Sequence, residues 1–243
     1  MSLFAAVEIN RYLCPVLSKE SIMHKLPTII IHFDNEIDPR AIPFFRGAVI
    51  ASLEKKDILF HNHEEEKLRY SYPLIQYKCI HRKAAVMGIG KGIEAISHLL
   101  CARDFNYQIG NENVEMRIRS VNASDNEIIV TESADYRYRL HNWLPLNSNN
   151  YAKYRNTESM TERILILERV LTGNILSFLK GIDIHTEDKI ELHITDITGQ
   201  RGVTYKKVKL IAFDIEFRTN IQLPQYIGIG KNASIGYGIL SLA

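Results

Sequence analysis

The alternation of apolar and polar positions divides the chain into strand-like and helix-like stretches. Residues 26–33 (LPTIIIHF) form a β-branched run bounded by polar positions, which reads as a strand. Over 43–53 (PFFRGAVIASL), Phe45, Val49 and Leu53 recur at helical spacing with Pro43 in the first turn, so a helix is predicted. Tyrosines and aliphatics favour pleated surfaces over 67–77 and 83–89. A second helix is expected at 94–100, a further strand at 114–119 and a turn in the polar run 122–126. That order fits a ferredoxin-like unit, with two helices over one face of an antiparallel sheet.

The later half begins with extended character over 128–140 and passes through WLPLNSNNY (143–151) into a long amphipathic helix from about 159 to 180. Its predicted apolar stripe is Ile164, Leu167, Leu171, Leu176 and Leu179, with Gly181 as C-cap. Strands are expected at 189–195 and 203–217 around a glycine-containing turn at 199–202. The expected class is α+β: two tandem ferredoxin-like (RRM-like) domains with antiparallel sheets, over 26–122 and 123–243. Residues 1–25 would be an N-terminal extension without an assigned role.

Composition leaves this picture intact, since 46% hydrophobic and 24% charged residues describe an ordinary globular chain. Apolar runs such as 28–33 and 84–89 fall far short of the roughly 20 residues of a membrane helix. The N-terminus, with Glu8 and Arg11, lacks a basic stretch followed by an apolar core and does not read as a secretory signal. A cytoplasmic location with no membrane partner is expected. Cys14, Cys79 and Cys101 lie far apart without a CxxC pair, so reduced, mostly buried thiols are expected, with no metal site and no cofactor.

Charge adds one asymmetry to a net +2. From residue 201 onward Arg201, Lys206, Lys207, Lys209, Arg218 and Lys231 oppose only Asp214 and Glu216, a local +4, and the first 200 residues sum to −2. A basic end of this kind suits a polyanion, and equally a solvated lysine face.

The most specific feature lies at 228–238, GIGKNASIGYG, where Gly228 and Gly230, then Gly236 and Gly238, bracket a five-residue insert. Glycine pairs let main-chain amides approach a phosphate, and Lys231, Asn232 and Ser234 add a cation and neutral hydrogen-bonding groups. This GhGxxxxxGhG pattern resembles the glycine-rich loop of the repeat-associated (RAMP) superfamily of CRISPR proteins. Within it the chain is most similar to the endoribonucleases that cut precursor CRISPR RNA inside each repeat. Residues 44–50, 58–78 (ILFHNHEEEKLRYSYPLIQYK) and 143–154 (WLPLNSNNYAKY) look like segments of the bacterial members, so the similarity spans most of 26–243. A second glycine cluster, Gly88, Gly90 and Gly92, imitates a dinucleotide-binding turn but has Ile93 where the third glycine belongs, and reads as a strand-to-helix turn.

The resemblance implies metal-independent cleavage in which a ribose 2′-hydroxyl attacks its own phosphate. The products would be a 5′-hydroxyl and a 2′,3′-cyclic phosphate. Such a reaction needs a base and an acid, and histidine serves as either near neutral pH. The family places that histidine at or just after the first helix, where FHNHEEEK supplies His63 as first choice and His61 as second. Lys67 lies where similar enzymes carry a lysine that stabilises the pentacoordinate phosphate, and Tyr70 is a candidate for orientation or proton transfer. Glu64, Glu65 and Glu66 either repel RNA or hold His63 protonated. The other histidines are assigned to packing or surface, with His81, beside Arg82 and Lys83, a candidate phosphate contact.

The expected partner is the CRISPR precursor RNA repeat. Association with other CRISPR effector subunits and formation of a homodimer stay open. So do a noncatalytic RAMP-type RNA-binding subunit of an interference complex, and an interaction module with a purely structural glycine loop.

Overall fold

The computed structural model describes residues 23–52, 63–64, 67–68, 72–101, 105–134 and 136–243. Strand β1 (His24–Glu36) carries the predicted β-branched run and extends it at both ends. After a short 3-10 turn capped by the Asp38 side chain, α1 (Ile42–Ser52) buries Ile42, Phe45 and Val49. A short ladder, β2 (His63–Glu64) with β3 (Lys67–Leu68), precedes the hairpin of β4 (Ile75–Ile80) and β5 (Lys83–Ile89). His81 and Arg82 turn that hairpin with φ of 49° and 65°, the double left-handed geometry that matches strand twist. Then come α2 (Gly92–Leu100), the small hairpin β6 (Asn106–Ile109) and β7 (Glu112–Glu115), and β8 (Ile118–Ile128).

The first sheet has the order β4-β5-β1-β8, antiparallel throughout. Ile31, Phe33, Phe45, Tyr77, Val86, Ile96 and Leu99 form the core on its helix-covered face. The polar run 122–126 is strand, not the expected turn: β8 continues through it, pairing Asn122 with Ile30 and Asn126 with Leu26. β8 lies at the sheet edge and is largely exposed, so its polar composition reflects solvent on an edge strand.

In the second half β9 (Tyr136–Trp143) leads into α3 (Ser148–Asn156) and α4 (Met160–Gly181). β10 (Leu192–Tyr205), β11 (Val208–Thr219) and β12 (Ile239–Leu242) follow, in the sheet order β10-β11-β9-β12. Counted within each half, both sheets run second, third, first, fourth strand, the ferredoxin-like arrangement. The second half differs in one place: between β11 and β12, where the first half has a helix, residues 220–238 carry turns and isolated bridges.

Three details depart from the sequence expectation. The glycines at 199 and 202 lie inside β10, and the turn falls at Lys206 and Lys207, φ 47° and 65°. Gly199 sits at a register shift, where an added Cβ would lie 2.9 Å from Asp214 Oδ2, so it marks a bulge. The buried stripe of α4 is Ile166, Leu167, Leu171, Ile175, Phe178 and Leu179, while Leu176 is 47% exposed. The four-residue step from Leu171 leads to Ile175, so the core meets that position. Gly181 remains helical; Asp183 takes the left-handed angle, φ 60°, and a Cβ on Gly181 would lie 2.3 Å from Tyr72 Cβ. Close approach of Tyr72 fixes that glycine.

The larger core cluster crosses between the halves, joining Leu26, Tyr72 and Met87 to Trp143, Phe178 and Ile229. Among the described residues no helix is long and apolar enough to cross a membrane. Cys79 is half-buried and Cys101 exposed, against the expectation of buried thiols; Cys14 lies outside the described residues.

Candidate nucleic-acid interface

The glycine segment is held by both halves at once. On the second half, Ile229 N–H donates to Gly238 O at 2.7 Å and Gly238 N–H to Asn142 O at 3.1 Å, which closes the segment on itself beside β9. On the first half, Tyr77 N–H donates to Ser234 O at 2.9 Å, and Tyr77 bridges Ile235 in parallel. Because β4 is the edge of the first sheet, the loop covers a strand edge that would otherwise be open.

A buried side-chain ring completes the clamp. Gly228 N–H donates to Gln76 Oε1 at 2.8 Å, Gln76 Nε2 donates to Tyr72 OH at 2.8 Å, and Tyr72 OH donates to Gly228 O at 2.8 Å. Tyr72 also stacks edge-on against Phe178 with centroids 5.0 Å apart, and burial raises its phenol far above the usual range. Tyr72→Phe strips the Gly228 carbonyl and the Gln76 amide of a partner inside the core, an expected loss of about 1–3 kcal/mol. Thermal unfolding checks it, at roughly 2–4 °C for each kcal/mol.

Packing explains the glycines more sharply than freedom of angle. A Cβ on Gly228 would sit 2.8 Å from Ala233 Cβ, one on Gly230 2.8 Å from Trp143 Nε1, and one on Gly238 inside the Ile229 carbonyl oxygen. Within the insert Ala233 and Ile235 are buried, and Lys231 projects to the outside. Lys231 is exposed, Gly230 and Asn232 take positive φ of 90° and 61°, and no N–H of residues 230–234 donates to a backbone carbonyl among the described residues. Successive unpaired amides beside a left-handed residue make a concavity suited to a phosphate oxygen. Asn232 Nδ2 is buried without a partner among the described residues.

Of the predicted catalytic residues, the structure describes His63 and Lys67 in one hairpin ladder, with His63 opposite Leu68 and Lys67 opposite Glu64. His61 and Tyr70 lie outside the described residues. Five residues separate Lys67 from Tyr72, and an extended chain spans at most about 3.6 Å per residue, so their Cα atoms lie within about 18 Å of each other. Through Tyr72 the hairpin is tethered to the glycine loop.

Comparison with known proteins decides the family. Models of the Cas6b N-terminal and C-terminal domains match residues 24–127 and 130–242. The chain belongs to the Cas6b family. A crystal structure of Cas6b is 28% identical, with a TM-score of 0.81 over 90% of this chain and 100% of that one. A CRISPR RNA processing endoribonuclease Cas6b, also 28% identical with the same coverage, gives a TM-score of 0.67. An uncharacterised protein of Methanocaldococcus jannaschii is 31% identical over 132 residues, 54% of this chain and 84% of its own length.

In this Cas6b-family chain the clamp residues Tyr72 and Gln76, and Lys78, whose Nζ donates to Gln76 Oε1 at 2.7 Å, escaped sequence reasoning. Gln76 lies inside the strand expected over 67–77 and Lys78 just past it, and a glutamine and a lysine in a strand read as exposed until their burial is seen. Besides Lys231, the basic C-terminal stretch places Lys206 and Lys207 at the β10–β11 turn and Arg201 on β10, where it binds Asp214 and the Asn142 side chain. His81, the candidate phosphate contact, is exposed in the β4–β5 turn. His32 stacks edge-on against Tyr226, 6.5 Å between centroids, and burial followed by Arg119 and His81 lowers its imidazole.

Proposed function

We propose that this chain is a CRISPR RNA processing endoribonuclease that binds the repeat of a precursor transcript and cuts it once per repeat without a metal. The observation that carries the reading is the family match across both halves of the chain. The insert 230–234, with its unpaired amides and exposed Lys231, supports a role in gripping the ribonucleotide backbone, as do Gly228, Gly230, Asn232, Ser234, Gly236 and Gly238.

In the proposed reaction a base takes the proton of the 2′-hydroxyl, whose oxygen attacks the adjacent phosphorus. The P–O5′ bond breaks, and an acid protonates the departing oxygen to give a 5′-hydroxyl and a 2′,3′-cyclic phosphate. His63 serves as acid or base, with His61 as the second imidazole. Lys67 offsets charge on the pentacoordinate phosphate, and Tyr70 orients the reacting groups or relays a proton. The expected division into 26–122 and 123–243 would cut β8, so the proposed boundary lies at the end of that strand, near residue 128; other CRISPR subunits or a second copy as further partners belong to the same proposal.

Incubation with end-labelled repeat RNA in EDTA tests the reading. Cleavage at one phosphodiester, with a cyclic phosphate terminus, is the expected result; tight binding without cleavage would instead mark a noncatalytic RNA-binding subunit. Lys231→Ala is expected to weaken binding and reduce the slope of log affinity against log salt by about 1, while the single-turnover rate of the saturated complex stays near wild type. A slowed bound reaction with unchanged affinity would move Lys231 into the catalytic group.

A further inference from the structure

Among the described residues Lys78 is the only charged side chain that is wholly buried. Its Nζ donates to Gln76 Oε1 at 2.7 Å, the same oxygen that accepts the Gly228 N–H at 2.8 Å. No carboxylate forms an ion pair with it among the described residues. A lysine so placed costs stability for its own sake, and a methionine would fill the space more cheaply. What the ammonium offers at this point is a charge directly behind the first glycine of the loop.

We propose that Lys78 is a positioning residue for RNA: through Gln76 it sets the first glycine of the loop, and it gains a proton when the polyanion seats there. This rests on the reading of the loop as the RNA grip. Burial pulls the Lys78 amine from 10.5 down to about 7, so the unliganded protein holds it partly neutral near physiological pH. A phosphate about 8 Å from Nζ, at an effective dielectric near 20, favours the ammonium by about 30-fold. Binding then carries a proton with it, and affinity falls as pH rises from about 7 toward about 9.

Other ionisable groups near the same sheet face need separating from Lys78. They are Lys83 from β5, His32 from β1, Arg119 from β8, His81 from the hairpin turn, and Tyr72 and Tyr226 from the segments packed against it. Lys83 is held by Asp34 at 3.0 Å and Tyr72 is raised by burial, which leaves two imidazoles, His32 and His81, to be varied alongside Lys78.

The test is titration calorimetry at pH 8 in two buffers of different ionisation enthalpy, using repeat RNA blocked by a 2′-deoxy nucleotide at the cleavage position. Wild type is expected to take up a substantial fraction of one proton per RNA. Lys78→Met is expected to remove that uptake, and so is Gln76→Glu, whose carboxylate holds the ammonium charged in both states; His32→Asn and His81→Asn each leave it in place. Between pH 7 and 9 wild-type affinity is expected to fall at least about tenfold more than that of Lys78→Met. Uptake equal in wild type and Lys78→Met overturns the inference while leaving RNA binding intact, whereas absence of RNA binding by wild type overturns the functional reading and this inference with it. A readout free of RNA is the stability profile: the unfolded chain binds the proton up to about 10.5 and the folded one only to about 7, so wild-type stability rises with pH across that window relative to Lys78→Met. A flat difference between the two proteins would mean that the buried amine holds its proton in the folded chain as it does in the unfolded one, leaving none for RNA to bring in, and would sink the coupling.

Discussion

His63→Ala is expected to slow cleavage of bound repeat RNA by at least about 100-fold while leaving affinity near its wild-type value, because removal of a positioned acid or base takes away a transition-state contribution of about 10²–10⁴. The split between rate and affinity is what distinguishes proton transfer from a lost RNA contact. Single-turnover cleavage with enzyme in excess reads the first, and filter binding of a 2′-deoxy-blocked repeat reads the second. The pH profile adds a signature: the limb contributed by the missing imidazole disappears. Loss confined to His61→Ala would shift the assignment by two residues, and loss in neither variant would remove the HxH segment from the chemistry.

Gly238→Ala is expected to destabilise the protein by about 2–5 kcal/mol. Forcing a side chain into a packed site costs about 1–3 kcal/mol, and a left-handed angle on a residue bearing a Cβ adds about 1–2. Here the added carbon would meet the Ile229 carbonyl oxygen, and φ is +62°. At about 2–4 °C per kcal/mol the midpoint of thermal unfolding drops by roughly 10 °C. Gly236→Ala is the control, since its φ of +86° is just as foreign to alanine but its nearest neighbour, Tyr77 O, is 3.6 Å away. A loss of only about 1 kcal/mol is expected there. Equal losses at both positions would mean that backbone angle, and not the Ile229 contact, decides why glycine occupies 238.

The apolar periodicity was enough to lay out most elements. The β-branched run of β1, the helical spacing of Phe45 and Val49, and the strand–turn–helix at Gly88 to Gly92 all appear where the pattern puts them. The glycine spacing around Lys231 brought in the family. What periodicity concealed has a common cause: edge and interface. β8 looked like a turn because edge strands carry polar residues on both faces. The β10–β11 turn was sought at glycines, but Lys206 and Lys207 adopt the left-handed angles. On α4 the partner surface selects Ile175 over Leu176, a choice no single helix encodes. Tyr72, Gln76 and Lys78 are meaningful only once residues more than 150 positions later return to meet them. Local pattern does not carry that pairing.

Coverage of the β4 edge by the final segment also sets an order in time. Gln76 and Gly228 lie 152 positions apart, so at about 5–20 residues per second a ribosome needs roughly 8–30 s to supply the second after the first. During that interval the nascent first sheet has an unfinished border, because the segment that pairs with Tyr77 has yet to be made. If residues 228–238 grip RNA as proposed, binding waits until they are made and docked on β4, and a nascent chain released before that point is expected to leave the ribosome unable to hold a repeat.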